Sequence, residues 1–198
     1  MNIPAEFDEI RPYAPEELPQ VYEELIADPM FQAVVAQAMP GIPFDMLAAQ
    51  MRQCKTNLDF QKAFFYKLLK ELVKKCAKGI EFDCSALEDK SLNYTFISNH
   101  RDIILDAAFL DVLLVDEGMN TVEIAIGDNL LIYPWIKKLV RINKSFIVKR
   151  GLSLREQLQS SILMSKYMHF AITEKHENIW IAQRQGRAKD SNDLTQDS

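Results

Sequence analysis

Through the second half of the chain, short runs rich in β-branched and aromatic residues alternate with longer helix-like stretches, and this alternation limits the possible fold more than any other feature. The runs are Tyr94 to Ser98, Val122 to Ile126, Ser145 to Val148 and Ile179 to Ala182, and the stretches between them cover about 102–117, 128–141 and 153–173. Strand and helix in strict succession predict an α/β layer fold with a largely parallel sheet flanked by helices, since parallel neighbours need a crossover long enough to hold a helix. The loops that follow the strands of such a sheet, near helix N-termini, are where chemistry gathers.

The N-terminal part has a different texture. Pro4, Pro12, Pro15, Pro19, Pro29, Pro40 and Pro43 cut residues 1 to about 43 into short helices. From Thr56 to Lys78, Leu58, Phe60, Phe64, Phe65, Leu68, Leu69, Leu72 and Val73 recur at threes and fours among lysines, which predicts a long amphipathic helix closed by Gly79. No catalytic constellation falls here. Residues 1–88 are therefore expected to be a helical segment that caps or packs against an α/β region at 89–198.

Composition excludes several classes. With 198 residues, 48% hydrophobic and 26% charged, the chain can bury one sizeable core and a smaller helical annex. A formal charge of -5 argues against a nucleic-acid binder, so any basic site must be local. Cys54, Cys76 and Cys84 form no CxxC pair and have no zinc-like spacing; they are expected to be reduced, mostly buried thiols of a cytoplasmic protein. The N-terminus lacks the basic and apolar regions of a signal peptide. No stretch of about 20 residues is apolar enough to span a bilayer, so action on lipid would come from the membrane surface.

Three of the four predicted strands run into conspicuous polar residues. The first leads to Ser98-Asn99-His100-Arg101-Asp102 and on to Asp106, the third to Lys149-Arg150-Gly151, the fourth to Gln183-Arg184-Gln185-Gly186-Arg187. A histidine at a strand end can have one ring nitrogen held by a carboxylate while the other takes a proton from a hydroxyl. Asp102 and Asp106 are four apart and share a helix face, so either could reach back to His100, although Asp102 could equally be a helix N-cap. Guanidinium groups at Arg150, Arg184 and Arg187 could grip a phosphate, or could be solvated strand-end charges.

Two other readings fail on the residues. His100-Arg101-Asp102 suggests a kinase catalytic loop, but Ala107 stands where that loop needs Asn. A hydrolase needs a Ser or Cys nucleophile, and no G-x-S-x-G elbow is present.

Taken jointly, Asn99-His100 with Asp106, then Phe146-Ile147-Val148-Lys149-Arg150, then Gln185-Gly186-Arg187 after an apolar strand resemble three motifs of the glycerol-3-phosphate and lysophosphatidate (1-acylglycerol-3-phosphate) acyltransferase family. The resemblance covers roughly residues 92–192. It departs from the family pattern in having five residues rather than four between His100 and Asp106, and Gln185 where the family has Glu. The chain also ends at Ser198, where the family continues through a fourth motif, so a region truncated at its C-terminus is expected.

The resemblance implies an O-acyltransferase. His100 would be the general base on an acceptor hydroxyl, with Asp106, or failing it Asp102, orienting the imidazole. Asn99, Arg101, Lys149, Arg150, Arg184, Gln185, Gly186 and Arg187 would bind substrate, with Lys189 a further basic candidate. The acyl donor would be acyl-CoA or acyl carrier protein, used as a substrate, and the acceptor a glycerol phosphate or lysophospholipid. No metal or other cofactor is implied. A basic island with Tyr133, Trp135, Lys137, Lys138, Arg141, Lys144, Lys149, Arg150 and Arg155 fits a protein held peripherally on the cytoplasmic membrane, or else an amphipathic helix packed on the sheet. The competing expectation is an acyltransferase-like scaffold that binds lipid or a partner without turnover.

Overall fold

A computed structural model of the chain describes residues 2–183. Short 3-10 turns at Ala5–Phe7 and Pro15–Glu17 lead into helices α1 (Leu18–Ile26), α2 (Pro29–Ala38) and α3 (Phe44–Gln53). Prolines mark helix starts as their fixed φ requires: Pro19 and Pro29 lie in first turns, and Asp28 caps α2 by accepting from Met30 N and Phe31 N.

The long helix predicted from Thr56 forms as α4 (Asn57–Phe60), a π-helical segment (Gln61–Tyr66) and α5 (Lys67–Cys76). Thr56 and Asp59 cap its start reciprocally, at 3.1 Å and 2.9 Å. It stops before Gly79, because Ala77 is already extended.

The sheet has four parallel strands, β1 (Thr95–Ser98), β2 (Val122–Gly127), β3 (Ser145–Val148) and β4 (Asn178–Ala182), in the order β1-β4-β2-β3. Helix α6 (Leu105–Asp116) connects β1 to β2, α7 (Pro134–Ile142) connects β2 to β3, and α8 (Leu154–Thr173) connects β3 to β4. The helix expected at 128–141 is shorter than the pattern suggested: a 3-10 turn at Asp128–Leu130 comes first, and Pro134 starts the helix proper.

Alternation along the strands divides the core between two faces. Ile179 packs with Phe146, Tyr167 and Ala171 on the α8 side, together with Phe7 and Ile10 of the N-terminal strap. Trp180 packs with Ala107, Leu114 and Val122 on the α6 side. The strap also covers the outer edge of β3, where Ile147 N donates to Ile10 O at 2.8 Å. Helices α1 to α4 share a further core with Ile142, Trp135 and Leu139 of α7, so the N-terminal helices and the α/β region are packed as neighbours.

Charges are buried at the amino edge of the sheet. Lys144, at φ 59°, donates to Thr121 O at 3.1 Å and pairs with Glu177 at 2.6 Å, while buried Glu123 accepts from Lys175 and Tyr167. Only Cys54 of the three cysteines is buried; Cys76 is exposed at the end of α5 and Cys84 half-buried. No helix among the described residues is long and apolar enough to cross a membrane.

Candidate active site

Parallel strands bring all their carboxyl ends to one edge, so the polar residues after β1 and β3 collect there with Gln183 after β4. His100 leaves β1 two residues after Ser98. Its Nδ1 lies 3.0 Å from Asp106 Oδ2, and both side chains are mostly buried, at 17% and 18% exposure. The same carboxylate oxygen accepts from Arg101 N at 2.8 Å and Asp102 N at 3.1 Å. In the neutral tautomer that donates from Nδ1 to this carboxylate, Nε2 is the ring nitrogen with a lone pair.

Asp102 does a different job. Its Oδ1 accepts from Ile104 N and Leu105 N, both at 2.9 Å, and so caps the first turn of α6. Of the two acids proposed to orient His100, Asp106 is the one in contact with it. The five-residue interval is accommodated by the turn at Ile103 and Ile104 ahead of the helix.

Trp180 of β4 supports the histidine from another side. Its ring meets the imidazole edge-on with centroids 5.9 Å apart, and its Nε1 donates to Ser98 Oγ at 3.0 Å. Asn99 accepts from the Gln183 side chain, and Gln183 N donates to Ser98 O, tying the end of β4 to the loop that carries His100.

Arg150 follows β3 and leans over the end of β2. A side chain on Gly127 would meet Asn129 Oδ1 at 2.5 Å and Arg150 Nε at 3.4 Å, so the Asn129 and Arg150 side chains close over the glycine and would have to shift for anything larger. Asp128 fixes the backbone by accepting from Arg150 N at 3.0 Å. With neighbouring strands about 5 Å apart, β1 and β2 ends are roughly 10 Å from one another across β4. Arg101 and Arg150 are exposed. Lys149 is engaged elsewhere, in an ion pair with Glu9 at 2.7 Å. Arg184, Gln185, Gly186, Arg187 and Lys189 lie outside the described residues.

The basic island is less of a surface than its sequence suggested. Arg141 is buried, donating to Arg11 O and Asp8 O and stacking over Tyr13, and Lys144 is buried against Glu177. Lys138 pairs with Glu24.

Beside the histidine loop, an apolar cavity of about 290 Å³ separates the sheet from the helix at 57–76. Ile103 and Ile104 line it at the end nearest His100; Ala107, Ala108, Asp111, Val112 and Val115 follow along one face of α6. Ile124 and Ile126 of β2 and Leu139 of α7 form the opposite side, while Gln61, Phe65 and Leu69 close it.

Its far end is polar. Asp111 Oδ1 accepts from Val122 N at 2.8 Å, and Gln61 bridges Asp111 Oδ2 at 3.3 Å to the Thr121 hydroxyl at 2.7 Å. Burial pushes the Asp111 carboxyl up to about 7, against the opposing pull of the Val122 N–H and of Lys144. Sequence reading passed over Gln61, Asp111 and Trp180. The one available signal was Asp111 itself, an acid inside the apolar run from Ala107 to Val115.

Fold and site together define a parallel α/β protein with a histidine–aspartate pair at the carboxyl edge of its sheet. No protein-family model and no curated protein matches the chain.

Proposed function

We propose that this chain transfers a fatty acyl group from an acyl thioester to a hydroxyl of a phosphorylated glycerol or lysophospholipid, on an acyltransferase-like fold. The observation that carries this reading is the 3.0 Å contact between His100 Nδ1 and Asp106, on the loop whose Ile103 and Ile104 line an apolar cavity. An imidazole oriented through Nδ1 and a slot for an alkyl chain are the two things such a reaction needs.

In this mechanism His100 Nε2 takes the proton of the acceptor hydroxyl as its oxygen attacks the thioester carbonyl. The tetrahedral intermediate collapses, the C–S bond breaks, and the imidazolium returns the proton to the departing thiolate of CoA or acyl carrier protein. Asp106 keeps the tautomer and stabilises the imidazolium; a positioned general base of this kind contributes about 10²–10⁴-fold in rate. Arg150, joined by Arg184 and Arg187 as the resemblance implies, holds the acceptor phosphate so that its hydroxyl lies against His100. Lys149 is a weaker candidate, since Glu9 already neutralises it.

The acyl chain occupies the cavity. Exposed Ile103, Ile104, Ile132 and Tyr133, at the carboxyl edge of the sheet, would dip into the bilayer interface at the cytoplasmic membrane surface, placing a lipid acceptor within reach. Gln185, in place of the carboxylate that the resemblance implies, favours a second reading in which the same cavity binds lipid without turnover.

The test is product identification by mass spectrometry after incubation with palmitoyl-CoA and either lysophosphatidate or glycerol 3-phosphate. An acylated acceptor is expected. Absence of acylated product from every donor and acceptor, with fatty-acid binding intact, would leave the lipid-binding reading instead.

A further inference from the structure

We propose that the cavity selects acyl chains bearing an oxygen function, a hydroxyl above all, on an interior carbon, because Gln61, Asp111, Thr121, Asn143 and Ser145 line it and Asn143 carries a buried acceptor that has no partner. This rests on the reading of the cavity as the acyl site. A slot made only for alkyl chain gains nothing from polar walls, since each buried polar group must find a partner or bear an uncompensated desolvation cost. Most of this cavity obeys that logic, with Ile and Val on α6 and β2. At its far end Asp111, Gln61 and Thr121 find partners among themselves and at Val122 N, and Asn143 Oδ1 finds none.

Asn143, which lines the cavity, has its Oδ1 buried and without a hydrogen-bond partner. Trp135, at the other end of α7 and also lining the cavity, has a buried Nε1 in the same condition. Unpartnered buried groups are rare in folded proteins, and Asn143, with Gln61 and Asp111 among the polar lining residues, is the acceptor that a hydroxyl on an acyl chain would satisfy. A hydroxyl donates and accepts at once, so it can give its proton to Asn143 and receive one from the Gln61 amide.

The helix wall is an independent observation. Gln61, Lys62, Phe65 and Tyr66 line the cavity, and all four belong to the π-helical segment Gln61–Tyr66. Such segments are rare inside α-helices and are frequently found at functional sites. Here the segment presents Gln61 to Asp111 and Thr121.

The experiment compares matched ligands on the whole chain. Oleate with ricinoleate, and myristate with β-hydroxymyristate, differ only in one hydroxyl, and Trp135 in the cavity wall reports binding by its emission. The hydroxylated member of at least one pair should bind about tenfold more tightly, the order expected for one buried hydrogen bond to a polar acceptor. Asn143→Leu should remove that preference, bringing the two members of each pair to equal affinity. Equal affinity within both pairs overturns the selection while the acyl cavity stands; no binding of any of the four overturns both. The wild-type comparison decides the matter even where the variant does not fold.

Discussion

Asp106, in the first turn of α6, reaches back across five intervening residues to place its Oδ2 3.0 Å from His100 Nδ1, and the same oxygen gathers the backbone N–H groups of Arg101 and Asp102. The histidine, the loop and the helix start are therefore locked by a single carboxylate. Asp102, four residues nearer in sequence, faces the helix instead.

These two acids should separate cleanly on substitution. Asp106→Asn is expected to lower acyl-transfer turnover by about 10²-fold or more with the fold retained, since the amide carries no charge to stabilise the imidazolium and its NH2 can donate to Nδ1 and favour the wrong tautomer. Asp102→Ala should cost about 1 kcal/mol of stability through the lost cap, with a much smaller effect on turnover. Initial rates and urea unfolding of both variants check this.

Arg150→Ala should raise the KM for a phosphorylated acceptor by about 10–100-fold, the range of a charge-assisted hydrogen bond, with the KM for the acyl donor unchanged. Arg150→Lys should restore only part of it, because an ammonium lacks the two-pronged geometry. Steady-state kinetics with each substrate varied in turn provide the measurement.

The cavity predicts a length effect. Ala108 lines it from α6. Ala108→Phe should shift preference toward shorter acyl chains, read from relative kcat/KM over a series of saturated acyl-CoA donors.

Much of this could be read from the sequence because it is local. Strand positions agree within a residue at each end, since β-branched and aromatic runs bounded by polar residues carry a period that does not depend on distant partners. His100 and Asp106 stand out through their place after a strand. What could not be read was non-local. Nothing in the chain says that β4 inserts between β1 and β2, and so nothing shows that Trp180 will abut His100. Lys149 looked available until folding brought Glu9 beside it, and Arg141 and Lys144 looked exposed until their partners at Arg11 and Glu177 closed over them. The widened turn at Gln61–Tyr66 leaves no mark on the spacing of leucines and phenylalanines around it.

Asp111 makes stability depend on pH. Its carboxyl titrates near 3.8 when unfolded and at about 7 when folded, chiefly through burial. The folded state thus holds the proton more tightly, and the stability tied to it is fully present below pH of about 4 and lost as pH rises through about 7. Between about pH 5 and pH 8 the wild type should lose roughly 3 kcal/mol that Asp111→Asn does not, as measured by urea unfolding at the two pH values.

The most direct test of the central claim is acceptor-dependent release of CoA from palmitoyl-CoA, with the chain compared against His100→Ala. The account predicts release that requires lysophosphatidate or glycerol 3-phosphate and that vanishes in His100→Ala while its thermal unfolding is unchanged. Release that survives the substitution, or a wild type that releases no CoA with either acceptor, would contradict it.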